Sequence, residues 1–248
     1  MTVALVLAGT RQGPDPFAAA NAVSHKSLIN VAGRSILERV IAALFEAGIQ
    51  QVVVSTNDRA VADIASDLGS EVIAAADGPS ASVAAALAQF GTPMVVTTSD
   101  HALLRPEWVR DMIKRTPEAA DVGIMMARQD RVEEAMPGTK RTYLAFADGR
   151  WSGCNLFYLQ SDSAGAAIDL WQMVEADRKR PWRIAARLGP ATLLSMVLRR
   201  LTLAEGIARL GRRIGIEAAL VPAADGLAAI DVDKPADLVA VRQILRRS

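Results

Sequence analysis

The sequence predicts an α/β protein built on a doubly wound, mostly parallel sheet. Strand-like and helix-like segments alternate four times within the first 115 residues. The strand-like segments are short apolar runs without in/out alternation, which is typical of parallel strands covered on both faces. Polar residues follow each run, and open α/β sheets bind ligands beyond the carboxyl ends of their strands. We therefore expect the functional residues at that edge of the sheet.

The first half contains four strand–helix units. Each helical segment has apolar residues at helical spacing, and glycines directly follow three of them, as expected at helix ends. Proline stands in the first turn of the fourth helix, a favoured position. The expected strands are residues 3–7, 51–55, 71–74 and 94–98, and the expected helices are 35–47, 58–68, 80–90 and 106–115.

The second half has a different organisation. Strands are expected at 122–127, at 143–146 and within 151–159, followed by a long helical stretch from 164 to about 214. That stretch is interrupted at Pro181 and at Gly189-Pro190. Short strands at 218–221 and 228–231 and a closing helix at 235–245 complete the prediction.

Composition excludes several classes of protein. The chain is 51% hydrophobic and 22% charged, with a net charge of +1, so no overall field attracts nucleic acid. One cysteine, Cys154, cannot form a disulfide within the chain, and two histidines make a Cys/His zinc site improbable. No apolar stretch reaches a membrane span and no secretion signal precedes the first strand, so a cytoplasmic location is expected.

The first strand ends in a pattern suited to phosphate binding. Gly9 permits close backbone approach, and Arg11 offers a fork of donors for phosphate oxygens. Lys26, on the same strand–helix crossover, is a second candidate cation. The pattern is neither a P-loop nor a dinucleotide fingerprint. The alternative for each cation alone is a solvated surface position.

Carboxylates follow two other apolar segments. Asp100 ends the strand in "VVTTSDHALL" and is either a helix N-cap or a magnesium ligand. Asp231 and Asp233 flank Val232 directly before the last helix. Turn and capping chemistry is the alternative for this pair, and the same triplet is similar to the metal-binding motif of nucleotide-sugar glycosyltransferases.

Five segments in order carry a resemblance to a known family. They read LAG-T-R, K-x-L-x-x-V-x-G-R, G-P-S-A-S-x-x-x-A-L, S-D-x-x-L-L and I-D-V-D-K-P-A-D-L, within residues 3–105 and 228–245. The chain thereby resembles MobA-like nucleotidyltransferases of the molybdenum-cofactor guanylyl/cytidylyltransferase type. It is also similar to sugar-phosphate and methylerythritol-phosphate nucleotidyltransferases. The loop departs from the family, whose members usually carry more glycines there.

The resemblance implies a sheet of the nucleotide-diphospho-sugar transferase type with a helical insertion in the C-terminal half. It implies one domain, residues 1–248, with four parts. These are a nucleotide-binding half (1–120), acceptor-side strands (121–160), a basic helical insertion (161–216) and a closing segment (217–248).

The resemblance also implies roles for individual residues. Arg11 would bind the leaving pyrophosphate, Lys26 the α-phosphate, and Asp100 would hold Mg²⁺ with Asp233, or else Asp231. The remaining candidates for nucleotide binding are the loop Leu7, Ala8, Gly9 and Thr10, and, around base and ribose, Asn57, Gly78, Pro79, Ser80 and Ser82.

The implied activity is magnesium-dependent transfer of NMP from an NTP, CTP or GTP, with release of pyrophosphate. The acceptor would be a phosphorylated small molecule or a lipid-like phosphate, which is already ionised and needs no general base. Its candidate contacts are Arg141, Thr142 and Asn155, which could also belong to plain hairpins. Two other functions stay open: a glycosyltransferase of related fold, and a non-catalytic nucleotide-binding or membrane-peripheral module.

The implied function does not account for one basic region of the sequence. Residues 165–215 carry ten Lys or Arg residues against four Asp or Glu, with Trp171 and Trp182 among them. Basic, aromatic and aliphatic residues together suit a membrane-surface segment at 171–200. The alternative is a solvated helix pair that packs on the core or on a second subunit.

Overall fold

The fold is a mixed eight-stranded sheet flanked by helices, as seen in a computed structural model that describes residues 1–10, 15–176 and 200–246. Most strands begin and end within one or two residues of the predicted positions. The strands are β1 Val3–Ala8, β2 Asn30–Val31, β3 Arg34–Ser35, β4 Gln51–Thr56, β5 Glu71–Ala74, β6 Met94–Thr98, β7 Val122–Arg128, β8 Leu144–Phe146, β9 Gly149–Leu159 and β10 Ala218–Pro222. The pair β2–β3 forms a separate small hairpin.

The helices occupy the predicted connections, with two short ones added. Short 3-10 helices lie at Lys26–Leu28, Asp162–Ala164 and Gly226–Ala229. The α-helices are α1 Pro16–Ala20, α2 Ile36–Glu46, α3 Arg59–Asp67, α4 Pro79–Phe90, α5 Pro106–Arg115, α6 Gln129–Ala135, α7 Gly165–Ala176, α8 Leu203–Arg213 and α9 Pro235–Leu245.

The sheet order creates a crevice at the end of β1. The order is β10-β7-β9-β6-β1-β4-β5, and β1 pairs in parallel with both β4 and β6. The chain leaves β1 toward β4 on one side and returns from β5 to β6 on the other. Such a switch point separates the two crossovers and leaves room for a ligand at the carboxyl ends of the strands.

Both faces of the sheet are covered, as predicted for a doubly wound fold. Along β1, Ala4, Val6 and Ala8 belong to the core beneath α2, α3 and α5. Val3 and Leu5 belong to the core beneath α4 and α7. The short apolar strands therefore bury residues on both sides, which is why they show no alternation.

Strand β9 runs against its neighbours and shapes the site. It pairs antiparallel with both β6 and β7. Its register against β7 shifts between Ile124 and Met126, because three residues of β9 separate their partners Phe157 and Gly153. Such a bulge redirects side chains locally, and this one contains Asn155.

The strand predicted at 228–231 is wrong. Gly226–Ala229 form a 3-10 helix, whose first turn is capped by the Asp225 carboxylate at 2.9 Å from the Leu227 amide nitrogen. Gly226 also packs so closely on α6 that an added Cβ would lie 2.1 Å from the Arg131 carbonyl oxygen. The segment is therefore held by its packing on α6.

The basic helical region is described at its two ends, α7 and α8, which pack on the sheet. The Trp171 ring on α7 lies 5.8 Å from the Phe157 ring of β9. Leu203 on α8 is buried with Phe146 and Trp151. Trp182 and most of the basic residues lie outside the described residues. Within residues 1–10, 15–176 and 200–246, no helix has the length and apolar character needed to cross a bilayer.

Candidate active site

Lys26 lies at the centre of the crevice beside β1 and β6. It begins a short 3-10 helix whose entry is fixed by His25, which is buried and accepts a hydrogen bond from the Ser27 amide at 3.1 Å. Lys26 Nζ donates to Asp100 Oδ2 at 2.6 Å and also to Asp233 Oδ1. One ammonium group therefore joins the end of β6 to the segment that precedes α9.

Asp100 uses its carboxylate for side-chain contacts, not for capping a helix. Oδ2 accepts from Lys26, and Oδ1 accepts from the Thr98 hydroxyl at 2.5 Å. The next helix, α5, begins six residues later, and its N-cap residue is Arg105. The Asp100 carbonyl accepts from the Val232 amide at 3.0 Å, which brings Asp233 to the same place. Of the two alternatives for Asp100, the structure excludes the N-cap.

The three charges stabilise one another. Burial by itself lowers the pKa of Lys26, but the carboxylates of Asp100 and Asp233 outweigh it and the pKa lies above its ordinary value. Burial raises the pKa of Asp100, but the charge and hydrogen bond of Lys26, with the Thr98 hydroxyl, bring it below its ordinary value. Asp100 is therefore a carboxylate and Lys26 an ammonium at neutral pH.

This arrangement fits a magnesium ion held with a nucleotide. The Asp100 and Asp233 carboxylates both reach one nitrogen, so their oxygens are close enough for one cation to bridge them. Mg²⁺ prefers oxygen ligands and is usually held by one or two carboxylates plus phosphate oxygens and water. Within the described residues no three metal-ligating side chains cluster, and two carboxylates are the number that Mg²⁺ commonly takes beside phosphate oxygens.

Asp231 belongs to a second cluster, on the side of β9. The Arg141 guanidinium forms a two-pronged ion pair with it, with Nη1 on Oδ1 and Nη2 3.0 Å from Oδ2. Asn155 Nδ2 donates to the same Oδ2 at 2.9 Å. Burial by itself lowers the pKa of Arg141, but Asp231 outweighs it and raises the pKa. Both Asp231 oxygens are thus occupied by donors from Arg141 and Asn155.

The β9 bulge aims Asn155 at this cluster. Asn155 has φ of +48°, a left-handed conformation that asparagine tolerates better than most residues. The two acceptor candidates Arg141 and Asn155 therefore meet on one carboxylate, although 13 residues of sequence separate their positions. Thr142 is exposed and lies outside the cluster.

His101 lies behind both clusters and is completely buried. Its ring stacks on Trp108, with 6.0 Å between ring centroids. Burial lowers its pKa to about 4, although the carboxylates of Asp100 and Asp231 act in the opposite direction. The ring is therefore neutral at physiological pH and forms part of the floor of the site.

The described part of the β1 loop is held by hydrogen bonds to the neighbouring strand ends. The Asn57 amide oxygen accepts from the Thr10 amide at 3.0 Å and from its hydroxyl at 2.9 Å. The Leu7 carbonyl accepts from the Ser99 amide at 3.0 Å, and the Ala8 carbonyl accepts from the Thr56 hydroxyl at 3.1 Å. Arg11 lies outside the described residues, so its role stays a prediction.

The remaining nucleotide candidates lie at the start of α4. Gly9 closely approaches the loop between β5 and α4, since an added Cβ on Gly9 would lie 3.2 Å from Ala75 Cβ. Ser82 Oγ accepts from the Ala76 amide at 3.0 Å and fixes the loop that contains Gly78 and Pro79.

Sequence reasoning missed one residue at this position, Glu175 of α7. Its carboxylate contacts both Gly78 and Ser80. It is 95 residues from Ser80 in the chain, and no motif marks it.

Comparisons with known proteins give the family and the fold of the chain. Residues 4–179 match the family model described as the MobA-like NTP transferase domain. A hypothetical transferase from Thermus thermophilus is 31% identical with a TM-score of 0.83, and the match covers 96% of this chain and 99% of that one. CMP:2-keto-3-deoxy-manno-octonic acid synthetase, solved with CTP, is 15% identical with a TM-score of 0.62, covering 100% and 99%. 4-Diphosphocytidyl-2C-methyl-D-erythritol synthase is 14% identical with a TM-score of 0.59, covering 98% and 97%.

The fold and these matches define a nucleotidyltransferase. The chain belongs to the MobA-like NTP transferase family. The two more distant structures share its central, mostly parallel sheet flanked by helices. Both the family and the fold expected from the five sequence segments are thereby confirmed.

Proposed function

We propose that this chain transfers NMP from an NTP to a phosphorylated acceptor and releases pyrophosphate. The NTP is CTP or GTP, and the reaction depends on magnesium. The observation that carries the proposal is the position of Lys26 between Asp100 and Asp233 at the switch point of the sheet. An ammonium and two carboxylates at this edge suit a triphosphate with its divalent cation. We propose that residues 1–248 act as one domain, with the four parts described above.

The residues support an in-line displacement at the α-phosphorus. An acceptor phosphate oxygen forms the new P–O bond, and the bond to the bridging oxygen of pyrophosphate breaks. Negative charge spreads over the non-bridging oxygens, so catalysis is mostly positioning and electrostatic stabilisation. Lys26 donates to an α-phosphate oxygen once it leaves the carboxylates. Bound Mg²⁺, held by Asp100 and Asp233, would neutralise the charge of the phosphates. No residue needs to remove a proton, because the attacking phosphate is ionised.

The acceptor side is proposed to lie around Arg141. A cavity of about 570 Å³ is lined in part by Lys140, the residue before Arg141 in the chain, and its lining also includes Thr139, Lys234, Asp237 and Gln243. Lys234 Nζ reaches the Lys140 carbonyl at 3.4 Å, so the two lysines are neighbours at this cavity. These two lysines suit a phosphorylated acceptor, whether a small molecule or a lipid-like one.

Thermal unfolding with each of the four common NTPs, with and without Mg²⁺, tests nucleotide binding. A ligand at about 100 times its Kd adds about 2.7 kcal/mol to the free energy of unfolding. We expect one NTP to raise the Tm only with Mg²⁺, and Asp100→Asn to abolish this effect. Asp67→Asn, on the exposed end of α3, is the matched control. No shift with any NTP would contradict the proposal.

Product analysis then distinguishes the reaction. Release of pyrophosphate supports nucleotidyl transfer, whereas release of free NDP from a nucleotide-sugar would support a glycosyltransferase. If nucleotide binds but neither pyrophosphate nor NDP is released, the protein is a non-catalytic nucleotide-binding module.

A cytoplasmic location and peripheral membrane contact through 171–200 are further proposals. The excess of basic residues in 165–215 supports the membrane contact. Co-sedimentation with anionic vesicles at low salt tests it, and unchanged solubility in their presence would contradict it.

A further inference from the structure

Glu175 reaches the ligand edge of the sheet because of the direction of β9. Strand β9 is antiparallel, and its last residue, Leu159, pairs with Met94 at the start of β6. Helix α7 follows from that amino edge and packs along α4 toward the carboxyl edge. The final turn of α7 therefore places a carboxylate beside the loop that follows β5.

The Glu175 carboxylate is anchored through only one of its oxygens. Oε2 accepts from the Ser80 hydroxyl at 2.5 Å and lies 3.4 Å from the Ser80 amide nitrogen. Among the described residues, Oε1 accepts no hydrogen bond. One oxygen of the carboxylate is thus held in place.

Gly78 makes room for this carboxylate. An added Cβ at Gly78 would lie 2.7 Å from Glu175 Oε1. Gly78 has an extended backbone, with φ of −176°, which any residue can adopt, so conformation does not require glycine here. A larger side chain at this position would displace the Glu175 carboxylate.

We assign the nucleobase of the proposed nucleotide to the side of the crevice opposite β9. The triphosphate lies at Lys26 and Asp100, beside β1 and β6. On the β9 side lie Arg141 and Asp231, where the acceptor is proposed to bind. The β1 loop, which approaches Ala75 at Gly9, leads to the other side, where β5 ends and Glu175 lies.

We propose that Glu175 is a specificity-determining residue that accepts a hydrogen bond from an amino group of the nucleobase. The inference rests on the proposed function. A carboxylate only accepts hydrogen bonds, so it favours a base edge that carries an N–H₂ group and repels one that carries a carbonyl at that position. Cytosine and guanine carry such an amino group, whereas uracil and hypoxanthine lack it.

The test measures nucleotide affinities with Mg²⁺ by calorimetry in two pairs that differ by one amino group, CTP against UTP and GTP against ITP. We expect wild type to prefer the amino-bearing member of the tighter-binding pair by 10- to 100-fold, the range for a hydrogen bond to a charged group. In Glu175→Gln, whose side chain can also donate, this preference falls to within threefold. Asp169→Asn, an exposed carboxylate on the same helix, retains the wild-type ratio.

The outcomes separate the inference from the proposed function. Binding with a preference that Glu175→Gln does not change overturns the role of Glu175 and leaves nucleotide binding intact. Equal binding of both members of the pair by wild type also overturns the role of Glu175 and leaves nucleotide binding intact. Absence of binding by all four nucleotides overturns the proposed function and the inference with it.

Discussion

Lys26 and Asp100, 74 residues apart, form a direct ion pair in which Nζ lies 2.6 Å from Oδ2, and the same nitrogen also binds Asp233. The ammonium thus occupies the space between the two carboxylates that would hold Mg²⁺. A bound cation would compete with the lysine for this space until a phosphate draws the lysine away. Metal binding and nucleotide binding are therefore expected to be coupled.

Lys26→Met tests this competition. The substitution leaves a nearly buried carboxylate without its partner and should lower the free energy of unfolding by about 3 kcal/mol. Added Mg²⁺ or Mn²⁺, without nucleotide, should restore part of the loss because the space between the carboxylates is free. Urea unfolding with and without metal measures both effects.

Lys114→Met, at an exposed position of α5, is the control for Lys26→Met and should unfold like wild type. Metal that stabilises wild type and Lys26→Met equally, without nucleotide, would contradict the competition.

The geometry of the Arg141–Asp231 pair predicts that lysine at position 141 stabilises the fold less than arginine does. A lysine offers no planar fork for the two carboxylate oxygens, so Arg141→Lys should lower the free energy of unfolding by about 1–2 kcal/mol. Asp231→Asn should cost more, about 3 kcal/mol, because it leaves a largely buried guanidinium without its counter-charge. Chemical denaturation of both variants gives the two values.

The matched control is Arg59→Lys, on a side chain that is 95% exposed and pairs only weakly with Asp63. It should change the free energy of unfolding by less than about 0.5 kcal/mol. A cost for Arg141→Lys no greater than that of the control would show that the two-pronged geometry is unimportant.

His101 predicts a loss of stability in mild acid. Its pKa is about 4 in the folded protein against 6.5 in the unfolded chain, so the unfolded state binds a proton first as the pH falls. The free energy of unfolding should therefore decrease between pH 6.5 and 4, by about 3 kcal/mol over the window. His101→Phe keeps the stack on Trp108 and should remove this part of the dependence. Denaturation midpoints across the window measure the slope.

Burial also lowers the pKa of His25, so a smaller slope of the same sign should persist in His101→Phe. Identical slopes in wild type and variant would mean that His101 takes up its proton in the folded protein as readily as in the unfolded chain.

Two glycines should respond differently to alanine. In Gly226→Ala the new Cβ would meet the backbone of Arg131 at 2.1 Å, which cannot yield without moving α6, so a loss of about 3 kcal/mol is expected. In Gly78→Ala the clash is with the end of the flexible Glu175 side chain, so the loss should stay below about 1 kcal/mol. Gly165→Ala, where nothing lies within 4 Å, should be neutral or slightly stabilising. Equal losses at positions 78 and 226 would contradict the distinction between side chain and backbone.

The sequence by itself determined the order of the elements and the edge at which the site lies. Periodicity, glycine stops and apolar runs depend on neighbours in the chain, so β1, β4, β5 and β6 and the helices between them could be placed from it. The ends of β1 and β6 could be recognised as a site because parallel strands present their carboxyl ends at one edge. That reasoning identified Asp100 as a candidate, whereas Lys26 and Asp233 were candidates from their local segments and from the family resemblance.

Only the tertiary structure decided which of these residues meet. Lys26 and Asp233 are 207 residues apart, and their contact depends on how the segment before α9 packs on β6. The same holds for Asp231, whose partners are set by a bulge in an antiparallel strand, and for Glu175, which depends on the direction of α7. Such contacts leave no periodic signal in the chain, because they arise from packing between elements and not from the conformation of any one of them.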